Sequence, residues 1–275
     1  MAGMSISEME EMARKCRIEI CKMTHRAQAG HPGGSLSEID ILCALYGHRL
    51  RVKPQNPDWD DRDRFILSKG HASPGMYAVL AEMGFISHED LKSYRVKGGV
   101  CQGHVDMKWC PGVDFSAGSL GMGLSFGMGC AVAAKLDGSS RNAYVMVGDG
   151  EMQEGSVWEA AMAAAHHELG NLKLFVDCNG IQNDDFCEAQ MRMFDIPAKW
   201  NSFGWAVKVI DGHDMASIVE AIDWMDSVTD KPAVVVAMTV KGKGVSFMEN
   251  NPAFHGAAPS DDQLALALSE LGVSA

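Results

Sequence analysis

The chain has 275 residues, 24 Lys+Arg against 36 Asp+Glu, and a formal net charge of −12. Hydrophobic residues make up 47%, enough for a large core, which excludes a disordered or collagenous chain. The acidic balance argues against a nucleic-acid or anionic-membrane partner, which needs clustered Lys/Arg, but leaves room for a local pocket that binds a small phosphate.

The opening residues carry no apolar signal core, so we read the chain as cytoplasmic with no targeting segment. Ser5-x-x-Glu8 is a capping box, and Met9, Met12, Ala13, Cys16, Ile20, Met23 and Ala27 form one apolar stripe at helical spacing. This first helix ends before Gly30-His31-Pro32-Gly33-Gly34, which is expected to be a non-helical loop. A second helix is expected from Ser35 to about Tyr46, and the polar, Pro-containing stretch 52–63 reads as a loop. Short apolar runs at 65–67, 143–147, 172–177, 206–210 and 233–240 then alternate with helical patterns at 72–84, 119–136, 155–168 and 215–226. The runs lack polar alternation, so they read as strands buried on both faces. The expected fold is α/β, a doubly wound, mainly parallel sheet with helices on both faces. We expect one domain over 1–275, with an amino-terminal helix and a carboxyl-terminal helical tail.

Residues 115–134 carry no charge over 20 positions, the length of a membrane span. Five glycines and few large aliphatics argue instead for a helix packed closely on other backbone. Small residues recur every four, at Ser119, Gly123, Gly127 and Ala131, and again at Gly121, Ser125, Gly129 and Ala133. Gly121 to Gly127 also contains GxGxxxG, but no convincing strand precedes it, so a dinucleotide site is not favoured. The eight cysteines form no CxxC pair and are too sparse for a disulfide scaffold. They read as small hydrophobes in a reducing compartment.

In such a sheet, ligands bind at the carboxyl ends of the strands. Val147-Gly148-Asp149-Gly150-Glu151 follows one expected strand, and Cys178-Asn179-Gly180-Ile181 follows the next. Asp149 and Asn179 are 30 residues apart, the span of one crossover unit, so they emerge side by side. A carboxylate, an amide oxygen and a main-chain carbonyl are hard ligands that suit Mg²⁺ or Ca²⁺. The glycines let backbone approach a diphosphate. Taken singly, each segment is also consistent with a plain turn.

GDG followed by an Asn about 30 residues on resembles the thiamine diphosphate signature, and the wider pattern resembles transketolase. The matching pieces are AGHPGGSLS (29–37), LSKGHASPGMYAVL (67–80), GHVDMKWCPGVDFSAGSLGMGLS (103–125), VGDGEMQEG (147–155), DCNGIQND (177–184), DGHD (211–214) and KGKG…FHGAAP (241–259). They cover only that family's amino-terminal, diphosphate-binding domain. The resemblance therefore implies the amino-terminal subunit of a split transketolase.

It implies a metal held by Asp149, Asn179 and the Ile181 carbonyl, with Gly148 and Gly150 beside the diphosphate. It places His71 and His255 near the diphosphate, and Gly118 and Leu120 along the aminopyrimidine. The family usually has Pro where this chain has Ser119. His31 and His104 resemble the channel histidines that contact sugar oxygens. The implied reaction passes a two-carbon unit between sugars, with the cofactor as electron sink and imidazoles moving protons near neutral pH. Glu154 resembles a glutamate buried between the two cofactor sites of a dimer, although a helix N-terminal glutamate held by the dipole is an equal reading. His213 is expected to order a loop, His166 and His167 to be structural or exposed, and His25, His48 and His88 carry no signal.

The family's catalytic glutamate belongs to a pyrimidine-binding domain that has no counterpart here. The implied enzyme is an α2β2 heterotetramer with a carboxyl-terminal transketolase subunit, acting on sugar phosphates. Alone, the chain is expected to bind metal and diphosphate weakly and not to turn over. Alternatives are the same chemistry on a branched or sulfonated sugar, a deoxyxylulose phosphate synthase-like fragment, or an inactive cofactor-binding homologue.

Overall fold

The computed structural model describes residues 3–273. The expectations for the amino terminus and for one domain over 1–275 extend onto Met1, Ala2, Ser274 and Ala275, which lie outside the described residues. Helix α1 (Ile6–Ala27) starts at the capping box, where Ser5 and Glu8 satisfy each other's backbone N–H, and ends on Gln28 at φ 49°. Its apolar stripe lies in the core, where each large side chain removed from water contributes roughly 1.5–3 kcal/mol.

Helix α2 (Pro32–Ala44) corrects the expected loop, because it begins inside the glycine run. Pro32 suits the first turn, since its missing N–H would have no partner there. Gly33 is small for another reason: a Cβ would lie 2.8 Å from the Phe254 carbonyl oxygen. The glycines thus permit close approach rather than breaking the helix. A π-turn (Leu45–Arg49) follows, then the expected loop.

Strand β1 (Arg64–Leu67), helix α3 (Ser73–Glu82), helix α4 (Met122–Leu136), strand β2 (Ala143–Gly148), helix α5 (Gly155–His166) and strand β3 (Leu172–Cys178) come next. Helix α4 starts three residues later than expected because Gly121, at φ 81°, cannot continue a right-handed helix. Two short helices, α6 (Cys187–Gln190) and α7 (Ile196–Ser202), were not legible in the apolar pattern. Strand β4 (Ala206–Asp211), helix α8 (Met215–Ser227), strand β5 (Ala233–Met238) and helix α9 (Asp261–Glu270) complete the order, α9 being the expected carboxyl-terminal helix.

All five strands pair in parallel in the order β1-β2-β3-β5-β4, with helices on both faces. One core cluster joins α1, α2, α3 and α8 to one face, and a second joins α4, α5 and α7 to the other. Strand β4 is not buried on both faces as expected: it is the sheet's edge, and Val209 is 50% exposed. Behind the site, His213 accepts the Val240 N–H at 2.8 Å and meets Asp40 at 2.8 Å, while Arg17 grips the other side of Asp40. The histidine thus reaches beyond the loop before α8 that it is expected to order, and ties the turn after β5 to α2.

The two small-residue stripes separate. Gly123, Gly127 and Ala131 face the sheet, and a Cβ on Gly127 would lie 2.4 Å from Val145 Cγ2. Gly129, on the other stripe, has nothing within 4 Å. Gly127→Ala is expected to destabilise by about 1–3 kcal/mol through overpacking. Gly129→Ala is expected to raise stability by about 0.5–1 kcal/mol through helix propensity. Equal melting shifts for the two variants would contradict this division of the helix.

Candidate active site

The carboxyl ends of β1, β2, β3 and β5 open into a cleft of about 390 Å³. The parallel register sets Gly148 opposite Asp177, so the chain after β2 and the chain after β3 leave the sheet together. Asp149 accepts N–H bonds from Gly150 at 2.8 Å and from Gly180 at 2.7 Å. Asn179 Oδ1 accepts the Ile181 N–H at 3.1 Å, and its amide donates to Asp177 at 2.9 Å. All twelve residues singled out from the sequence line this cleft: His31, His71, His104, Gly118, Leu120, Gly148, Asp149, Gly150, Glu154, Asn179, Ile181 and His255. Gly150 N–H is held by Asp149 in this chain, and Glu154 stands exposed at the N-cap of α5, where only a second chain would bury it.

Four imidazoles crowd one side. His31 lies 5.0 Å from His71, 6.3 Å from His104 and 5.4 Å from His255, centroid to centroid, and His71 stacks on His255 at 5.3 Å. Each comes from a different element: the residue before α2, the turn after β1, the loop 94–121, and the residue after the 3-10 turn Pro252–Phe254. His31 Nδ1 is buried without a partner.

Two lysines were missed, because a buried cation leaves no periodic signature. Each stands beside a glycine in a motif, Lys69 in SKGH and Lys241 in KGKG. Lys241 donates to the Ile181 carbonyl at 2.8 Å and contacts His255 Nδ1 at 2.7 Å. Its stem packs tightly on Gly33, where a Cβ would lie 3.1 Å from Lys241 Cγ. Lys69 is fully paired beneath the cleft, with Asp177 and, at 2.9 Å, Glu38.

Burial pushes His31 down to about 4, helped by His104 and Arg95. Burial and Lys241 push His255 down to about 3. Burial, then Lys69, holds His71 well below the usual range, and burial with Arg95 lowers His104. The cleft therefore holds neutral imidazoles at neutral pH. Burial also lowers Lys241 to about 8 and raises Asp149 above the usual carboxylate range, with Asp177 adding to the latter.

The residues fit a hard divalent cation with an anionic ligand. Asp149, Asn179 and the Ile181 carbonyl offer oxygen only, and an ammonium already lies on that carbonyl. Among the described residues, no cluster of three His, Cys, Asp or Glu offers a softer site.

Inorganic pyrophosphate is expected to raise the depressed pKa values of His31 and His255, because a bound anion favours their charged forms. NMR titration of the imidazoles with and without pyrophosphate reads the change, and a fall would contradict it. A second pH effect lies below the cleft. Burial pushes Glu38 from 4.5 up to about 8, so the folded chain keeps a proton that the unfolded chain loses. This contribution is complete below pH 4.5 and is lost as pH rises through about 8. Stability is expected to fall over that window by at most about 1.4 kcal/mol per pH unit, and Glu38→Gln to flatten the slope in denaturant melts.

Residues 8–275 match the family model for the transketolase thiamine diphosphate binding domain. The chain is 39% identical over 242 residues to a 6-deoxy-6-sulfo-D-fructose transketolase subunit of a Clostridium species, covering 88% of each chain. It is 37% identical to an apulose-4-phosphate transketolase subunit of Phocaeicola vulgatus, covering 98% of this chain and 95% of that one. It superposes on the transketolase of Campylobacter jejuni with a TM-score of 0.93 at 32% identity, over 98% of this chain and 43% of that one. The chain spans about two fifths of the length of the solved transketolases it matches, but nearly the full length of the two subunits. The chain belongs to the transketolase family, whose thiamine diphosphate-binding domain it matches.

Proposed function

We propose that this chain is the amino-terminal subunit of a split, thiamine diphosphate-dependent transketolase. In this reading it moves a two-carbon ketol unit from a ketose phosphate to an aldose phosphate, together with a carboxyl-terminal partner in an α2β2 assembly in the cytoplasm. The carrying observation is the juxtaposition of four neutral imidazoles with an oxygen-only ligand set at one sheet edge. Among the described residues, no helix is long and apolar enough to cross a membrane.

Asp149, Asn179 and the Ile181 carbonyl would hold Mg²⁺ (or Ca²⁺). Gly148, Gly150, His71, His255 and the Lys241 ammonium would face the diphosphate, and Gly118 and Leu120 the aminopyrimidine. When bound, thiamine diphosphate supplies the electron sink for C–C cleavage. The chain's own residues orient and exchange protons. A neutral imidazole is both a donor and an acceptor, so His31, His71, His104 and His255 can align a sugar's hydroxyl and carbonyl oxygens and shift a proton between them. Burial keeps His31 and His255 neutral at neutral pH, so each ring offers one N–H and one lone pair for hydrogen bonds to sugar oxygens. Glu154, exposed at the rim, is available to a second chain packed there.

A branched or sulfonated sugar is the second reading. It is favoured by the subunit-sized relatives named for apulose-4-phosphate and 6-deoxy-6-sulfo-D-fructose. Asp149→Ala is expected to abolish Mg²⁺-dependent thiamine diphosphate binding in calorimetry, and binding equal to wild type would sink the site assignment. With the partner chain co-purified from the native cell, His31→Ala is expected to lower turnover about 100-fold against a panel of phosphorylated, branched and sulfonated ketoses. Turnover by the chain alone would overturn the split reading.

A further inference from the structure

Glu151 is a buried carboxylate that the sequence pattern did not single out. Oε1 accepts the Gly121 N–H at 2.9 Å and the Ser68 hydroxyl at 2.5 Å, and Oε2 accepts the Gly148 N–H at 3.0 Å. Ser68 Oγ in turn accepts the Gly123 N–H at 3.1 Å. Helix α4 has no cap of its own, because its N-cap residue, Gly121, has no side chain. Glu151 and Ser68 replace that cap from other elements, so one carboxylate joins the ends of β1 and β2 to the start of α4.

The joined segment matters to the cleft. Gly118, Ser119 and Leu120 are exposed, and a Cβ on Gly118 would meet nothing within 4 Å. Packing does not hold this wall. Its fixed points are the Ala117 N–H bond to the Val105 carbonyl, the Gly121 N–H on Glu151, and the Gly121 carbonyl, which accepts the Ser156 hydroxyl at 3.1 Å. At Gly121 the fit is tight, since a Cβ there would lie 2.6 Å from both Glu154 Cβ and Ser156 Oγ.

We propose that Glu151 is a positioning residue: with Ser68 it holds the Gly118–Gly121 wall at the spacing that accepts the ring end of the cofactor. This rests on the reading above that thiamine diphosphate occupies the cleft with its aminopyrimidine along Gly118 and Leu120. Glutamine is nearly isosteric but has one acceptor oxygen. Glu151→Gln therefore aims an NH₂ either at the Gly148 N–H or at Gly121 and Ser68, and one buried donor is left unpaired. Ser68→Ala removes one arm and frees the Gly123 N–H without a change of charge.

The test uses the full chain with Mg²⁺, alone and with the co-purified partner, and two probes: inorganic pyrophosphate and thiamine diphosphate. Glu151→Gln is expected to weaken thiamine diphosphate about tenfold, with pyrophosphate within about twofold of wild type. Ser68→Ala is expected to act in the same direction with a smaller loss. Hydrogen exchange is expected to quicken about tenfold at Gly121 and Gly123, with the later turns of α4 unchanged. Equal weakening of both probes, or unchanged exchange at Gly121, would overturn the positioning role. A wild-type chain that binds pyrophosphate but not thiamine diphosphate, alone and with its partner, would instead overturn the cofactor reading and the ring-fit claim with it. The exchange data would still decide whether Glu151 anchors the wall.

Discussion

The pairing of Lys69 with Asp177 is the constraint on which the site rests. Both side chains are out of water, and the pair reaches from the turn after β1 past the end of β2 to the end of β3. Burial alone would raise the Asp177 carboxyl, but Lys69, then Ser37 and Thr239, hold it below the usual range. Lys69 also donates to the Gly34 carbonyl, and Asp177 accepts from Ser37, so α2 is clamped to the sheet's edge. The rest follows from that clamp. His31 directly precedes α2, Asn179 donates to the same Asp177 oxygen, and the Asp149 N–H bonds the Asp177 carbonyl at 3.2 Å. Replacing such a pair by apolar groups can be neutral, but removing one partner costs roughly 3–5 kcal/mol. Its contribution is best understood as fixing positions rather than as net stability.

A chain with a net charge of −12 nevertheless sets a buried ammonium, Lys241, into its cleft. The acidic surface acts at long range and is screened by salt, whereas Lys241 and Lys69 act across a few ångström of low dielectric. Lys69 is neutralised by the Asp177 carboxylate. Lys241 is not paired with a carboxylate; it rests on a carbonyl and an imidazole. Neutral histidines around it add donors without adding repulsion. The result is a site that favours an anion whose charge a divalent metal shares.

Some of this was legible in the sequence and some was not, for physical reasons. The α1 boundaries, the alternation of strands and helices that makes the sheet parallel, and the juxtaposition of Asp149 with Asn179 could be read from local spacing or a strand end, whereas the lining residues of GHPGG and KGH came from the resemblance. The start of α2 could not. Gly33 and Gly34 read as helix breakers, yet what Gly33 answers is the approach of Phe254 and Lys241, which come from more than 200 residues away. The exposure of β4 is likewise set by sheet order rather than by its own composition. Lys69, Lys241 and Glu151 are charged residues read by default as solvated, and only tertiary partners place them inside. Glu151 was hidden further by lying next to the more conspicuous Asp149-Gly150.

The carboxylates lining the cleft can be accounted for one by one, and the sum bears on the assembly. Asp149 accepts from Gly150 and Gly180, and Glu151 from Gly121, Gly148 and Ser68. The third, Glu154, is exposed at the rim. Both buried carboxylates are thus committed to backbone, and a carboxyl group that gives or takes a proton at the far end of a bound ring has no source on the buried wall. The neighbouring surface is apolar and open, with Leu120 36%, Met122 46% and Phe126 37% exposed. Chemistry that must exclude water cannot proceed against an open wall. The resemblance implies that the catalytic glutamate comes from the proposed partner, and a partner with an apolar face laid over α4 and the Gly118–Leu120 segment would also exclude water there.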